Sequence, residues 1–255
     1  MQAIVVNYFT ACTCGFLFYK EKVNVTDILN SSWFIGAVVL GFLFIAIFNI
    51  MALTAQRNGL SVASVASKMS VIIPVVFGIY VLKERIDGQK IIGICLALVA
   101  VYLTSVKKKD TVILTQSIYL PIILFLGSGI IDTSINYFAP DDKIELFSAI
   151  IFAIAASIGV SILIYKSTIH KHYFKLKSIP FGLALGLMNY GSIFFLLKAL
   201  RMEDLESSTL FTINNVGIVT ISTVVGLVLF KENMSTKNWL GIGIAITAII
   251  LVTLA

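Results

Sequence analysis

Residues 81–103 read VLKERIDGQKIIGICLALVAVYL, and residues 229–251 read LFKENMSTKNWLGIGIAITAIIL. The same design occurs twice, 148 residues apart: a Lys-Glu pair, a short polar gap, then an apolar run built on Gly and Ala. Lys83-Glu84 corresponds to Lys231-Glu232, and Gly93, Ala97 and Ala100 correspond to Gly241, Ala245 and Ala248. Positions i, i+4 and i+7 share one face of a helix. A face of small residues lets a neighbouring backbone approach closely, which is how helices associate in lipid. The duplication extends upstream, where Tyr19-Lys20 matches Tyr165-Lys166, Gly36 matches Gly182, and Ala52-Leu53 matches Ala199-Leu200. The chain therefore reads as two copies of one unit.

Composition sets the medium. Of 255 residues, 58% are hydrophobic and 13% charged, with a mean hydropathy of +0.99; a soluble domain carries about 25% charged residues. Apolar segments at 3–19, 33–53, 60–82, 89–106, 113–137, 146–166, 179–200, 208–230 and 237–255 are each long enough to cross a ~30 Å hydrocarbon core as a helix. In lipid every backbone amide needs a partner within the chain. No alternating barrel pattern is present, so the expected fold is an all-α polytopic membrane protein with nine spans. The first segment lacks a basic leader and a small-residue cleavage site, and so reads as a span rather than a signal peptide. The net charge of +6 sits largely in short loops, where Lys and Arg anchor to headgroups, and does not read as nucleic-acid binding. Cys12, Cys14 and Cys95 read as small apolar residues buried within spans, and no cofactor or metal is expected.

The last four segments correspond to the first four, so the fifth calls for a partner ahead of Met1. The expected architecture is two inverted five-helix repeats with the first helix missing: 1–106, a basic linker at 107–112, and 113–255. An odd-numbered repeat must run upside down in its second copy. Inverted repeats are a hallmark of secondary transporters, whose substrate site lies between the halves near the midplane.

Against this background ASVASKMSVIIPVVFGIYVLKE (63–84), with a Pro mid-helix and a Glu at its exit, resembles the EamA-type members of the drug/metabolite transporter superfamily. The second copy, STLFTINNVGIVTISTVVGLVLFKE (208–232), keeps the Glu but has Ser222 in place of the Pro. The resemblance covers essentially the whole chain. It implies ten helices in two five-helix halves, a plasma (inner) membrane location and a cytoplasmic C-terminus. The loop charges point weakly the other way, with seven Lys and Arg on the C-terminal side and ten opposite.

Polar groups inside the spans are the site candidates, because an ionisable residue in lipid is costly and by default functional. Ser61, Ser64 and Lys68 fall on one stripe, and Ser208, Thr212 and Asn215 form the equivalent stripe in the second copy. Asp132, with Asn136 one turn later, is placed to neutralise Lys68 or to carry a coupling proton. Asn189 and Ser192 complete the substrate-binding set, and Asn49 and Asn7 are weaker candidates. Glu84 and Glu232 read as structural, each suited to the positive end of the helix that follows it. His170 and His172 read as solvated. Pro74 is expected to bend its helix.

These features predict a secondary transporter that moves a small metabolite, an amino acid or related compound, by alternating access, with proton-coupled export one version of it. Its partners are a small-molecule substrate and the lipid bilayer, not nucleic acid, and a homodimer stays open. The spans hold no His, nucleophile elbow, metal-spaced His or Cys set or paired carboxylates, so an enzyme is not expected. The alternative is a non-transporting membrane scaffold or a truncated, inactive paralogue.

Overall fold

The computed structural model describes residues 2–105, 118–170, 178–202, 205–230 and 236–254. The chain is an all-α polytopic membrane protein. Its described helices are α1 (Gln2–Phe18), α2 (Val25–Leu29), α3 (Phe34–Arg57), α4 (Leu60–Met69), α5 (Ile72–Tyr80), α6 (Gly88–Ser105), α7 (Tyr119–Phe138), α8 (Ile144–His170), α9 (Ser178–Leu200), α10 (Ser207–Phe230) and α11 (Thr236–Thr253). Six are long and apolar enough to cross a membrane when α4 and α5 are taken together as 62–80. Lys231, Glu232, His172 and the linker 107–112 lie outside the described residues.

Three boundaries differ from the apolar pattern. The helix α3 runs four residues past the last apolar position, because a helix does not need to stop where polar side chains reach the membrane surface. It ends at Asn58-Gly59, where Gly59 takes φ 99°, a conformation open to glycine. The short α2 forms where Asn24 caps it, its side-chain oxygen accepting from the Thr26 N–H (3.2 Å). Finally, the expected bend at Pro74 falls at a two-residue interruption, Ser70-Val71, between α4 and α5, whose backbone stays in the right-handed helical region. Proline has no N–H and its ring clashes with the carbonyl four residues back, that of Ser70. The Ser70 carbonyl accepts instead from the Ile73 N–H (2.9 Å), and the Ser70 hydroxyl donates to the Ser67 carbonyl (2.6 Å).

The helices gather into two compact units that do not coincide with the sequence halves. Unit 1 comprises residues 1–49 and 134–202, and unit 2 comprises 50–133 and 203–255. Each unit thus draws helices from both halves of the chain. In unit 1, α1 and α8 run antiparallel, since a Cβ on Gly15 would lie 2.7 Å from Ala149 Cβ and one on Gly159 would lie 2.8 Å from Val5. α9 packs parallel to α1 through Gly182 and Gly186, whose absent Cβ atoms would meet Val6 (2.5 Å) and Thr10 (2.4 Å). An aromatic core fills the rest. Tyr8 stacks on Phe152 (6.1 Å), Trp33 meets Phe147 edge-on (5.7 Å), and the buried Tyr8 hydroxyl donates to the Phe44 carbonyl (3.1 Å).

In unit 2 the two small-residue stripes noted in the sequence pack on each other. Ala97, Ala100, Ala245 and Ala248 are each at most 2% exposed and share a cluster with Val101, Val216 and Val219. α6 and α11 are antiparallel: Gly93 lies against Val252, the Gln89 side chain donates to the Leu251 carbonyl, and the Asn238 amide donates to the Leu103 carbonyl. The cysteine expectation needs correction. Cys14 is buried, Cys12 is half-buried and Cys95 is exposed, and all are unpaired. In a span an exposed face meets lipid, so an apolar thiol there gains nothing by being inside.

Candidate functional site

The interruption between α4 and α5 positions the first candidate. Lys68 sits in the last turn of α4, just before the interruption. The chain beyond it packs tightly on α7, where a Cβ on Gly129 would lie 2.3 Å from Ile73. Asp132 follows Gly129 by one turn and comes into electrostatic range of Lys68. Among the described residues no hydrogen bond or direct ion pair engages either side chain. Both charges therefore keep their bonding capacity, and two half-buried opposite charges can offset each other without being locked together.

The stripe on α10 belongs to the same unit. Ser208, Thr212 and Asn215 are all buried. The Thr212 hydroxyl donates to the Ser208 carbonyl (2.7 Å) and the Asn215 amide donates to the Phe211 carbonyl (3.0 Å). The Ser208 hydroxyl is buried with no partner among the described residues. Ser64 is half-buried on α4, and the Ser61 side chain is outside the described residues.

The remaining candidates lie in unit 1. Asn189 donates to Asn7 Oδ1 (3.3 Å), a bond between α9 and α1. Ser192 is exposed, Asn136 is buried, and the Asn49 amide donates to the Ile45 carbonyl within its own helix. Among the described residues no group of three His, Cys, Asp or Glu is placed to hold a metal.

A second polar centre forms around Glu84, which the sequence marked as structural but without its distant partners. Lys83 takes φ 60° after α5, and the Glu84 N–H reaches back to the Gly78 carbonyl (3.2 Å). This is the left-handed turn that closes many helix C-termini, here made by a lysine. It aims the Glu84 side chain across Gly78, where a Cβ would lie 2.8 Å from the carboxylate oxygens. The carboxylate does not serve α6, the helix that follows it. It caps α10: the Ser207 N–H donates to Oε1 (3.0 Å), the Ser208 N–H donates to Oε2 (3.1 Å), and the Ser207 hydroxyl donates to Oε1. An anion at a helix N-terminus is stabilised by the helix dipole and by the orphan amides it satisfies.

Lys90, 3% exposed, completes this clasp. Its ammonium donates to Glu206 and lies 3.9 Å from Glu84. Burial works to raise the Glu206 carboxyl, but the Lys90 hydrogen bond, the Arg85 amide and the two positive charges outweigh it and hold the group below the usual carboxylate range. Unit 1 carries a smaller counterpart, in which Arg201 donates to the Ala139 carbonyl and pairs with Asp141 (2.9 Å). Lys90 and Arg201, expected to anchor to headgroups, instead tie segments of the protein together.

Residues 3–106 match the EamA-like transporter family. An uncharacterized protein of Haemophilus influenzae is 27% identical over 257 residues, which span 97% of this chain and 86% of that protein. A solved crystal structure superposes with a TM-score of 0.77 over 99% of this chain and 88% of its own, at 12% identity, which is a likeness of fold.

Proposed function

We propose that this chain, which carries an EamA-like transporter domain in residues 3–106, is a secondary transporter that moves a small metabolite across the membrane by alternating access. The observation that carries the proposal is the pair Lys68 and Asp132, two charges brought into range beside a helix interruption and left free of direct partners. A scaffold has no use for such a pair, whereas a carrier needs charges that can exchange partners. In this reading Lys68 receives an anionic group of the substrate, an amino acid or related compound. Thr212 and Asn215, on α10 of the same unit, offer their remaining hydrogen-bonding capacity. Asp132, released from Lys68, takes the substrate's ammonium group or a coupling proton. The inverted duplication supports the reading. The equivalent pairs α1 with α8 and α6 with α11 run antiparallel within their units, as two copies of opposite orientation require.

The test has two arms. Purified protein is screened by thermal unfolding against the twenty L-amino acids and their decarboxylated and N-acetylated derivatives. A true ligand at a hundred times its dissociation constant adds about 2.7 kcal/mol. The stabilising compound is then followed into proteoliposomes. Lys68→Ala should remove both its binding and its transport. Transport at the wild-type rate in Lys68→Ala would take Lys68 out of the site.

A further inference from the structure

At the end of α1 the chain turns into α2, and a cavity of about 110 Å³ opens between this turn and the start of α8. Its wall holds Glu21, Asp27, Lys22 and Lys143, with Tyr19 and the buried Trp33 between them. Two carboxylates and two ammonium groups thus share one small space, and among the described residues none of the four is ion-paired with another. The acidic side is organised. The Tyr19 hydroxyl donates to Glu21 (3.0 Å), and it is pushed above the usual phenol range, first by desolvation and then by this bond and the charges of Glu21, Asp27 and Glu145. A negative field converges there, while Lys22 and Lys143 supply positive charge to the same cavity.

Its depth is fixed by the chain. The cavity lies directly after α1 and before the span α3 in the chain, where a connection between spans meets the membrane surface. The short α2 beside it exposes Val25 (65%) and Leu29 (56%), apolar side chains that suit the headgroup–acyl boundary. We propose that this cavity binds the headgroup of an aminophospholipid, its primary ammonium against Glu21 and Asp27 and its phosphate against Lys22 and Lys143. A primary ammonium donates three hydrogen bonds to carboxylates, whereas a quaternary choline donates none. The volume admits a headgroup and excludes a whole lipid. The exposed apolar residues of α2 favour a ligand with attached chains over a free solute. The site lies wholly within unit 1 and uses none of the residues assigned to transport.

The experiment titrates full-length protein in detergent with phosphatidylethanolamine, phosphatidylcholine and phosphatidylglycerol, following thermal unfolding and bound lipid by native mass spectrometry. Phosphatidylethanolamine should bind most tightly. In Glu21→Gln/Asp27→Asn that affinity should drop about a hundredfold, the cost of two lost charge-assisted contacts at about tenfold each, with the lipid-free unfolding midpoint unchanged because both side chains are exposed. Lys143→Gln should weaken phosphatidylethanolamine and phosphatidylglycerol alike. Equal binding of all three lipids, or undiminished phosphatidylethanolamine binding in the double variant, would overturn the site. Glycine or O-phosphoethanolamine stabilising the protein as much as the intact lipid would overturn the lipid assignment in favour of a soluble zwitterion.

Discussion

Unit 1 and unit 2 solve the problem of packing helices in lipid differently. Both units use close approach at glycines, with Gly93 and Gly129 in unit 2, but unit 1 combines it with aromatic filling. Gly15, Gly36, Gly41, Gly182 and Gly186 each sit where a Cβ would come within 3.0 Å of a neighbour, and the gaps between helices are filled by aromatic rings. Its buried polar side chains Asn7 and Tyr8 are bonded to the protein. Unit 2 has a core of Ala and Val, a helix interrupted at mid-span, and charges inside it: Lys68, Asp132, Glu84 and Lys90. Two of these, Glu84 and Lys90, are paired as a structural clasp, and the other two are not. Unit 2 thus holds charge in two ways, locked to fixed partners at Glu84 and Lys90 and without a direct partner at Lys68 and Asp132.

The comparison breaks most readily at the glycines. Gly186→Val should be the most damaging single change, because its side chain would meet both Thr10 and the backbone carbonyl of Asn7, 2.6 Å from the Cβ position. Overpacking of this kind costs roughly 3 kcal/mol or more where backbone must shift, and should appear as a loss of folded yield and a large drop in unfolding midpoint in detergent. Unchanged stability would mean that α1 and α9 are not in close contact.

Next comes the clasp. Glu84→Ala leaves the first amides of α10 without their acceptor and Lys90 without one of its two carboxylates. A loss of about 2 kcal/mol is expected for charged bonds at a helix end, read by equilibrium unfolding. Glu84→Gln should recover only part, since its amide end donates where an acceptor is needed.

How much of this was legible in the sequence follows from the range of each interaction. The spans were legible because lipid demands long apolar runs. The stripe of Gly93, Ala97 and Ala100 was legible as a packing face, since i, i+4 and i+7 is a local rule. That its partner is the equivalent stripe on α11 was not, because the pairing is made by tertiary structure. Pro74 announced a bend, and its place at Ser70-Val71 depends on the Ser70 carbonyl being rebonded locally by the Ile73 N–H. Lys68 and Asp132 stood out as intramembrane charges. Glu84 was legible as a structural carboxylate at a helix end, but was assigned to the helix that follows it, because its true partner Ser207 lies 123 residues away. Ser192 carried no signal of its exposed position, since a serine suits either face of a helix in lipid.

The smallest expected effect concerns pH. Glu206 has its carboxyl lowered by Lys90 and Arg85 against the opposing effect of burial. A group depressed in the folded state contributes stability above its unfolded value, and this is lost as pH falls through the folded value. Stability should therefore fall as the medium is acidified below the ordinary carboxylate value of 4.5. Partial exposure of Glu206 screens the effect to less than about 1 kcal/mol. Glu206→Gln should flatten this part of the profile, and an unchanged acid slope would show that the Lys90 bond adds nothing.

The central claim is that Lys68 and Asp132 are held for transport and not for the fold. It is tested most directly by the double variant Lys68→Met/Asp132→Leu, compared with wild type for unfolding midpoint and for transport of the compound identified by the thermal screen. The account predicts a bundle at least as stable as wild type, since apolar side chains replace buried charges without leaving either one alone, together with complete loss of transport. A double variant that still carries the compound at the wild-type rate would contradict it.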